Sequence, residues 1–508
     1  FLADLRDRRV LVTVAGEQMR CSAPDGVLTD ELLAVLRSHK AEIVAHLRRL
    51  AAISRHEGTP PLSYAQERFW LLHQFHPDDT AYNIPLEIRL CGPLDPAALR
   101  QAIGQVTRRH DVLRTRYVIR RGRPEPVVAP FATPDLPLVD LTGLPDATRD
   151  AARHELASAE ARRPFDLASG PVLRAWLLRE RRDEHTLLLT RHHIASDGWS
   201  LGVLLTELST LYGTHAGGLP CPLPEPRVRY GDFAAWQRAG GDANDLTRWR
   251  RLVAAPPTLD LLTDADPEAP RVPAEAVRAT LEAALVAGVR EWAARERVTP
   301  FSVLLAAYGL VLSSLSGQQD LVVGSPVAGR TRPELDRLIG CFVNMLPLRL
   351  DLSGPCTMSE LVRRTHGVVQ DGLAGQDLPF ERLVEMLRPE RSLTENPLFQ
   401  TAFAFQNLPA GETRLAGIAA SVEPAPTVAP KFPLTLTATE RAGGIDLELE
   451  FDPRRLVPDL AGEILRRMRE VLLAGPVDPR ATTLELQRRL PVGGAADPGA
   501  TVEESTLP

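Results

Sequence analysis

Lysine is almost missing from this 508-residue chain. Lys40 and Lys431 are the only two, and arginine supplies all the other basic side chains. We read this as the codon bias of a GC-rich genome, not as chemistry. Excess positive charge is missing too. The net charge is -6 and the pI is near 6.1, which speaks against nucleic acid as the main partner. No apolar run reaches the length of a membrane span, and the N-terminus shows no signal peptide, so neither a membrane nor export is expected. Cysteine is scarce. Cys21, Cys91, Cys221, Cys341 and Cys356 lie far apart. They form neither a metal-binding spacing nor a disulfide framework, as expected in a reducing cytoplasm. What remains is a chain that is 44% hydrophobic. It can bury large cores, and its length suggests about three domains, with two or four possible.

The most informative stretch is Arg191-His192-His193-Ile194-Ala195-Ser196-Asp197-Gly198-Trp199-Ser200. Leu187-Leu188-Leu189-Thr190 before it reads as a buried strand. Leu204, Leu205, Leu208 and Leu211 after it recur at helical spacing. Two histidines thus stand where a strand gives way to a loop and a helix, a common place for chemistry. If the strand runs to His193, its side chains alternate, and one histidine can face a cavity while the other packs. Asp197 is near enough to fix the local geometry, and Gly198 permits close backbone approach. Satisfied, purely structural histidines remain an alternative. A metal site is discounted, because adjacent strand histidines point apart and Asp197 would not complete a ligand set.

Residues 1–50 read as a small α+β module: a short helix over Phe1 to Asp7, a hairpin through Val10–Val14 and Met19–Cys21, then two helices. Thr29 is a candidate N-cap for the first of these, and Ile43, Val44, Leu47 and Leu50 mark the second. Fifty residues is marginal for independent stability, so the module is either an extension packed on its neighbour or a docking unit accepting a peptide at its hairpin edge. Residues 51–61 read as a linker. A mixed α/β lobe follows over 62–238 and a second over 239–480. In the first, Asp95 caps a helix that starts with Pro96. In the second, Thr299 and Pro300 open an apolar helix. Residues 481–508 read as a flexible, acidic tail or linker.

Seven blocks, in order, resemble the condensation domains of non-ribosomal peptide synthetases, from about Leu62 to Leu473. They are Ser-x-Ala-Gln-x-Arg-x-Trp (63–70), His-Asp-Val-Leu-Arg-Thr-Arg (110–116), His-His-x-x-x-Asp-Gly (192–198) and Tyr-Gly-Asp-Phe-Ala-x-Trp-Gln (230–237). Ile-Gly-Cys-Phe-Val-Asn (339–344), Gln-Asp-x-Pro-Phe-Glu (376–381) and Asn-Pro-Leu-Phe (396–399) complete the set. Ser63 to Trp70 and Tyr82-Asn83-Ile84-Pro85 are similar to the subclass joining an L-donor to an L-acceptor. Gly375 departs from the pattern, standing where the family often has His or Asn. Residues 1–50 resemble N-terminal docking domains of synthetase subunits.

The resemblance implies two chloramphenicol-acetyltransferase-like lobes in a V-shaped pseudo-dimer with a tunnel between them. There an upstream donor carrier, of a polyketide synthase or peptide synthetase subunit, meets a downstream acceptor peptidyl carrier. Both bring phosphopantetheine thioesters, and the chain itself is expected to need no cofactor. His193 is implied as catalytic and His192 as packed. Asp197 is implied as structural, paired with Arg114. The Gly198 N–H either holds an oxyanion or only makes a tight turn. Trp236, Asn344 and Ser325 are implied as tunnel or scaffold, and Trp70 and Trp199 as core aromatics. An epimerisation domain would need a second-lobe glutamate motif, and a heterocyclisation domain would replace both histidines with aspartates. An ester-forming or CoA-dependent acyltransferase, or a non-catalytic platform recruiting carriers or tailoring enzymes, stays open. With no carrier or adenylation motif, the chain is expected to be freestanding or, preferably, a fragment cut after its condensation domain.

Overall fold

The computed structural model describes residues 10–15, 18–23, 29–38, 40, 53–239, 243–263, 272–387, 396–406, 413–415, 417–423, 429–441 and 443–489. In the N-terminal module, β1 (Leu11–Ala15) pairs antiparallel with β2 (Gln18–Ser22). The helix α1 (Asp30–Ser38) follows, with Thr29 Oγ1 accepting from the Leu32 N–H at 3.2 Å. The helices expected over 1–7 and 43–50 lie outside the described residues.

The first lobe opens with α2 (Tyr64–Phe75), β3 (Asn83–Cys91) and α3 (Pro96–Arg109). The hairpin β4 (Thr115–Arg120) and β5 (Arg123–Val128), β6 (Leu138–Asp140) and α4 (Asp146–Ala161) come next. β7 (Leu173–Arg181), β8 (Glu184–His192), α5 (Gly198–Ala216) and α6 (Tyr230–Ala239) complete it. Strand alternation divides β8 between two cores. Leu187 and Leu189 join Leu99, Ile103, Val106, Leu204 and Leu208 on one face. Leu188 joins Leu141, Ala157 and Leu178 on the other.

The second lobe holds α7 (Ala243–Leu252), β9 (Glu275–Glu282), α8 (Ala283–Glu296), α9 (Pro300–Ser316), β10 (Asp320–Val327) and β11 (Asn344–Asp351). After α10 (Met358–Ala374) and α11 (Phe380–Leu387) come β12 (Thr401–Gln406), β13 (Thr413–Leu415), β14 (Ile418–Glu423), β15 (Leu434–Arg441) and β16 (Gly444–Phe451). The helices α12 (Pro458–Val477) and α13 (Thr483–Arg489) close the chain. Its sheet runs β11-β10-β12-β15-β16-β9, with β10, β12 and β15 parallel. α9 is buried all round from Ser302 to Ser313, as its apolar sequence requires. Thr299 Oγ1 accepts from the Ser302 N–H, and Gly317 ends the helix at φ 75°, its N–H bonded to Ser313 O. No single described helix is long and apolar enough to cross a membrane; α8 and α9 pass such a test only as a bent pair, and both lie in this core.

The expected boundaries need three corrections. The first-lobe sheet runs β13-β14-β3-β8-β7-β6, so residues 413–423 cross back from the second lobe and pair with β3, Ala419 opposite Cys91. Ile53, placed in a linker by its neighbours' composition, is buried in the first-lobe core, and the His56 N–H donates to Asp232 at 2.7 Å. The tail does not begin at 481, because Leu486 of α13 is buried in the second-lobe core. In each case a few apolar residues inside a polar or Pro-rich stretch decide the matter.

A second crossing runs through residues 328–343. Leu335, Leu338, Ile339, Cys341 and Phe342 pack in the first-lobe core, although β10 and β11 on either side belong to the second-lobe sheet. Gly329 starts it at φ +62°, where an added Cβ would lie 1.9 Å from Phe342 O. Only glycine fits there.

Candidate active site between the lobes

The strand β8 ends at His192, not His193. Its last N–H donates to Val172 O at 3.0 Å. His192 then caps a single 3-10 turn, His193–Ala195, by accepting the Ile194 N–H on Nδ1 at 3.1 Å. The ring sits edge-on to Phe165 and Phe69, and burial lowers its pKa to about 3. It stays neutral, and its packed position follows from that capping bond.

His193 leaves the strand through this turn, so strand alternation does not aim it. Its N–H donates to Tyr82 O at 2.9 Å, and its ring stacks on Phe69 at 5.2 Å and 23°. Nδ1 lies 3.8 Å from Cys341 Sγ. The residue is half-exposed, yet desolvation, then Lys431, Arg68 and His192, holds its pKa well below the ordinary value. The result is an imidazole held neutral by its surroundings.

Asp197 holds this turn against the crossing. As N-cap of α5 it accepts the Ser200 N–H at 2.8 Å and the Ser200 O–H at 2.7 Å on Oδ1. Oδ2 accepts the Phe342 N–H at 2.9 Å. The Arg330 guanidinium lies 3.3 Å from Oδ1, both side chains being 2% exposed. Arg330 also donates to Leu338 O at 2.9 Å, to Leu335 O and to Ser200 Oγ. Ser200 Oγ in turn bonds Gly340.

The expected Arg114–Asp197 pair is thus not formed. Arg114 binds Asp111, on its own 3-10 turn, and Ala129 O. The local carboxylate takes its guanidinium, while Asp197 is filled by Ser200, Phe342 and Arg330. Arg330 was visible in the sequence only as the end of a Gly-containing loop, 133 residues from its partner.

A family model described as a condensation domain matches residues 56–487. The chain belongs to the condensation-domain family. A model described as the TubC N-terminal docking domain matches residues 1–49. The chain is 40% identical to the phosphinothricin tripeptide synthetase PhsC of Streptomyces viridochromogenes, over 83% of this chain and 40% of that protein. It is 40% identical to a linear gramicidin synthase of Brevibacillus parabrevis, over 80% of this chain and 8% of that protein. It therefore spans well under half the length of these relatives. Among solved structures, the X-domain from teicoplanin biosynthesis superposes with TM-score 0.77 at 26% identity, covering 86% of this chain and 99% of that one. The first condensation domain of the calcium-dependent antibiotic synthetase gives 0.70 at 20% identity, covering 84% and 98%. The fold is the mixed α/β, chloramphenicol-acetyltransferase-like fold of condensation domains.

The remaining motif residues of this condensation domain are mostly tied to the crossing. Ser63 and Gln66 form a capping box on α2. Ser63 meets the Tyr230 hydroxyl, which bonds Cys341 O at 2.6 Å. His110 bonds Glu207 at 2.9 Å and accepts the Ile339 N–H at 3.3 Å. Asn344 donates to Gln376 O and Leu378 O and accepts the Phe380 N–H, at 2.7–2.9 Å, fixing the start of α11. Trp236 packs beside Phe233, with Arg332 over its ring at 5.3 Å. Ser325 donates to Phe403 O at 2.9 Å within the second-lobe sheet. Gly198 is exposed at the first position of α5, with open space around its Cα. Its φ is not positive, so no turn demands glycine there.

Trp70 is half-buried at the first-lobe core. Trp199 is 51% exposed, against expectation. It clamps the crossing from outside, its indole N–H donating to Asp336 O at 2.9 Å. Gly375 is explained by Trp249. A Cβ there would lie 2.7 Å from the indole nitrogen, which donates to Gly375 O. Cavities of about 450 Å³ near Trp249 and about 430 Å³ near Phe301 lie in the second lobe, and neither is lined by His193.

Breaking the buried pair from either side should cost about 3–5 kcal/mol. Asp197→Ala and Arg330→Met are expected to melt well below wild type, or to give little folded protein. Arg114→Met should cost about 1 kcal/mol or less, since its site is part-exposed and the ion pair local. Equal melting of Arg330→Met and wild type, with Arg114→Met unstable, would reverse the assignment.

Proposed function

We propose that this domain forms an amide bond between an upstream carrier-bound acyl or peptidyl thioester and the α-amine of a downstream carrier-bound aminoacyl thioester. The observation that carries this reading is His193, held on its turn by the Tyr82 carbonyl and stacked on Phe69, with desolvation keeping its imidazole neutral. An α-amine with pKa near 7.7 is about one-sixth neutral at pH 7, so the base need not strip it beforehand. The amine nitrogen attacks the thioester carbonyl, and the carbonyl electron pair moves to oxygen. The His193 imidazole orients the amine and takes its proton as the C–N bond forms. Collapse restores the carbonyl and breaks the C–S bond. The sulfur leaves with that proton as pantetheine thiol, and the lengthened chain stays on the acceptor carrier. Gly198 supports the oxyanion through its N–H in the first turn of α5, where helix amides lack internal acceptors.

The relatives' names support the reading, since PhsC is a tripeptide synthetase and the Brevibacillus relative a gramicidin synthase. Phosphopantetheine arrives on the two carriers as part of the substrates, with no further cofactor required of this chain. A docking domain at residues 1–50 engages the donor partner, a polyketide synthase or peptide synthetase. The five cysteines are free among the described residues, as suits work in the cytoplasm. One observation favours a second reading. The X-domain from teicoplanin biosynthesis was solved in complex with OxyB, and this chain shares 26% identity with it. A domain of this fold can thus serve as a recruitment platform. The competent His193 weighs for catalysis.

The test is mass spectrometry of loaded donor and acceptor carriers. Wild type should form amide, and His193→Ala should lose at least about 100-fold in rate while keeping its melting temperature. Equal rates would remove His193 from the mechanism. Faster product from a carrier-bound hydroxy acid than from an amino acid would favour an ester-forming enzyme. For docking, a peptide of the donor partner's C-terminus should bind the full chain more tightly than its scrambled form. Equal binding would end the docking proposal.

A further inference from the structure

The His193 imidazole has two neighbours from distant parts of the chain. Phe69 on α2 stacks on the ring at 5.2 Å. Cys341 on the crossing places its Sγ 3.8 Å from Nδ1. The spacing between these two walls is set by tertiary contacts alone, and one hydroxyl touches the supports of both.

Ser63, Gln66 and Phe69 stand three residues apart, which brings them to one face of the chain as it enters α2. Gln66 Nε2 donates to the Tyr117 hydroxyl at 2.9 Å and to Ile194 O, in the His193 turn itself, at 3.4 Å. Ser63 Oγ lies 2.8 Å from the Tyr230 hydroxyl, and that hydroxyl lies 2.6 Å from Cys341 O. A phenol has one proton to give and a carbonyl has none. Tyr230 therefore donates to Cys341 O and accepts from the Ser63 O–H. Ser63 Oγ in turn accepts the Gln66 N–H at 3.1 Å. Ser63, Gln66 and Tyr230 are all buried, and burial raises the phenol pKa well above its ordinary value, so the proton stays in place. The ring has a fitted seat on the crossing. A Cβ at Gly340 would lie 2.1 Å from Tyr230 Cδ2. Phe342 packs edge-on to the ring at 5.0 Å, and its N–H is bonded to Asp197.

We propose that Tyr230 is a positioning residue for His193: its hydroxyl clamps the start of α2 to the crossing and so fixes the gap between Phe69 and Cys341 in which the imidazole stands. This rests on the amide-forming reading above. Tyr230 acts through these contacts and not on the substrates. Without the hydroxyl, Cys341 O and the Ser63 O–H each lose a buried partner, and the two walls are free to part. A ring loosened in this way admits water, which favours the imidazolium form. It also meets the amine less often in a reacting geometry.

The test is single-turnover condensation on loaded carriers with wild type, Tyr230→Phe, Ser63→Ala and Tyr308→Phe, each melted in parallel. Tyr308→Phe is the control. It deletes an equally buried hydroxyl, bonded to Thr401 at 2.6 Å in the second-lobe core. Tyr230→Phe should slow amide formation by about 10-fold to 100-fold, the scale of loss that a displacement of about 1 Å brings. Its dependence on carrier concentration should match wild type. Below about pH 6.5 its rate should fall more steeply than the wild-type rate, as the freed imidazole takes up a proton. Ser63→Ala breaks the α2 end of the same clamp and should show both effects, and it decides the matter if Tyr230→Phe does not fold. Tyr308→Phe should keep the wild-type rate and pH profile whatever its melting temperature. A wild-type rate and pH profile in folded Tyr230→Phe and Ser63→Ala would overturn the proposal. So would equal slowing in Tyr308→Phe, which would mark a general loosening of the fold, and so would a loss that high carrier concentration restores. No amide from wild type would sink the amide-forming reading, and this proposal with it. Amide from wild type with an undiminished Tyr230→Phe rate would sink only the role of Tyr230.

Discussion

One buried carboxylate ties the two lobes together. Asp197 starts α5, receives the crossing through the Phe342 N–H, and neutralises Arg330 at the far end of the same crossing. A charge so deep is tolerated only because each acceptor position is used. His193 lies four residues upstream, its turn fixed to Tyr82 by its own N–H. The geometry of the base therefore depends on a contact between residues 133 positions apart. Loss of Asp197 would free both the helix start and the crossing.

The site divides its work between the lobes. The first lobe contributes His193, set on its turn by Tyr82, stacked on Phe69 and kept neutral by burial and nearby cations. The second supplies the crossing over residues 328–343, which brings Cys341 against the His193 ring and Arg330 against Asp197. Cys341 is the hinge of this arrangement, coming from the crossing yet buried in the first-lobe core.

Local chemistry was legible in the sequence. The caps at Asp95 and Thr299, the apolar helix Pro300–Ser316 and the run into His192 all rest on residues a few positions apart. The motif blocks led to the family and so to His193. What the sequence did not show is long-range. Arg114 and Arg330 look equally able to serve Asp197, and the difference is that Asp111 stands three residues from Arg114. Trp199 looks like a core aromatic by type, but the helix start turns it outward over Asp336. Residues 413–423 belong to the first-lobe sheet by hydrogen bonding to β3, a pairing across more than three hundred residues that no periodicity reveals.

The most direct measurement is the pH dependence of single-turnover amide formation with loaded carriers. With His193 neutral throughout, only the acceptor amine should titrate. The rate should then fall about tenfold per pH unit below its pKa of about 7.7 and keep that slope to about pH 5.5. A steepening toward about a hundredfold per unit below about pH 6.5, the ordinary imidazole range, would mean that His193 takes up a proton there. That result would contradict the account of a base held neutral by its surroundings.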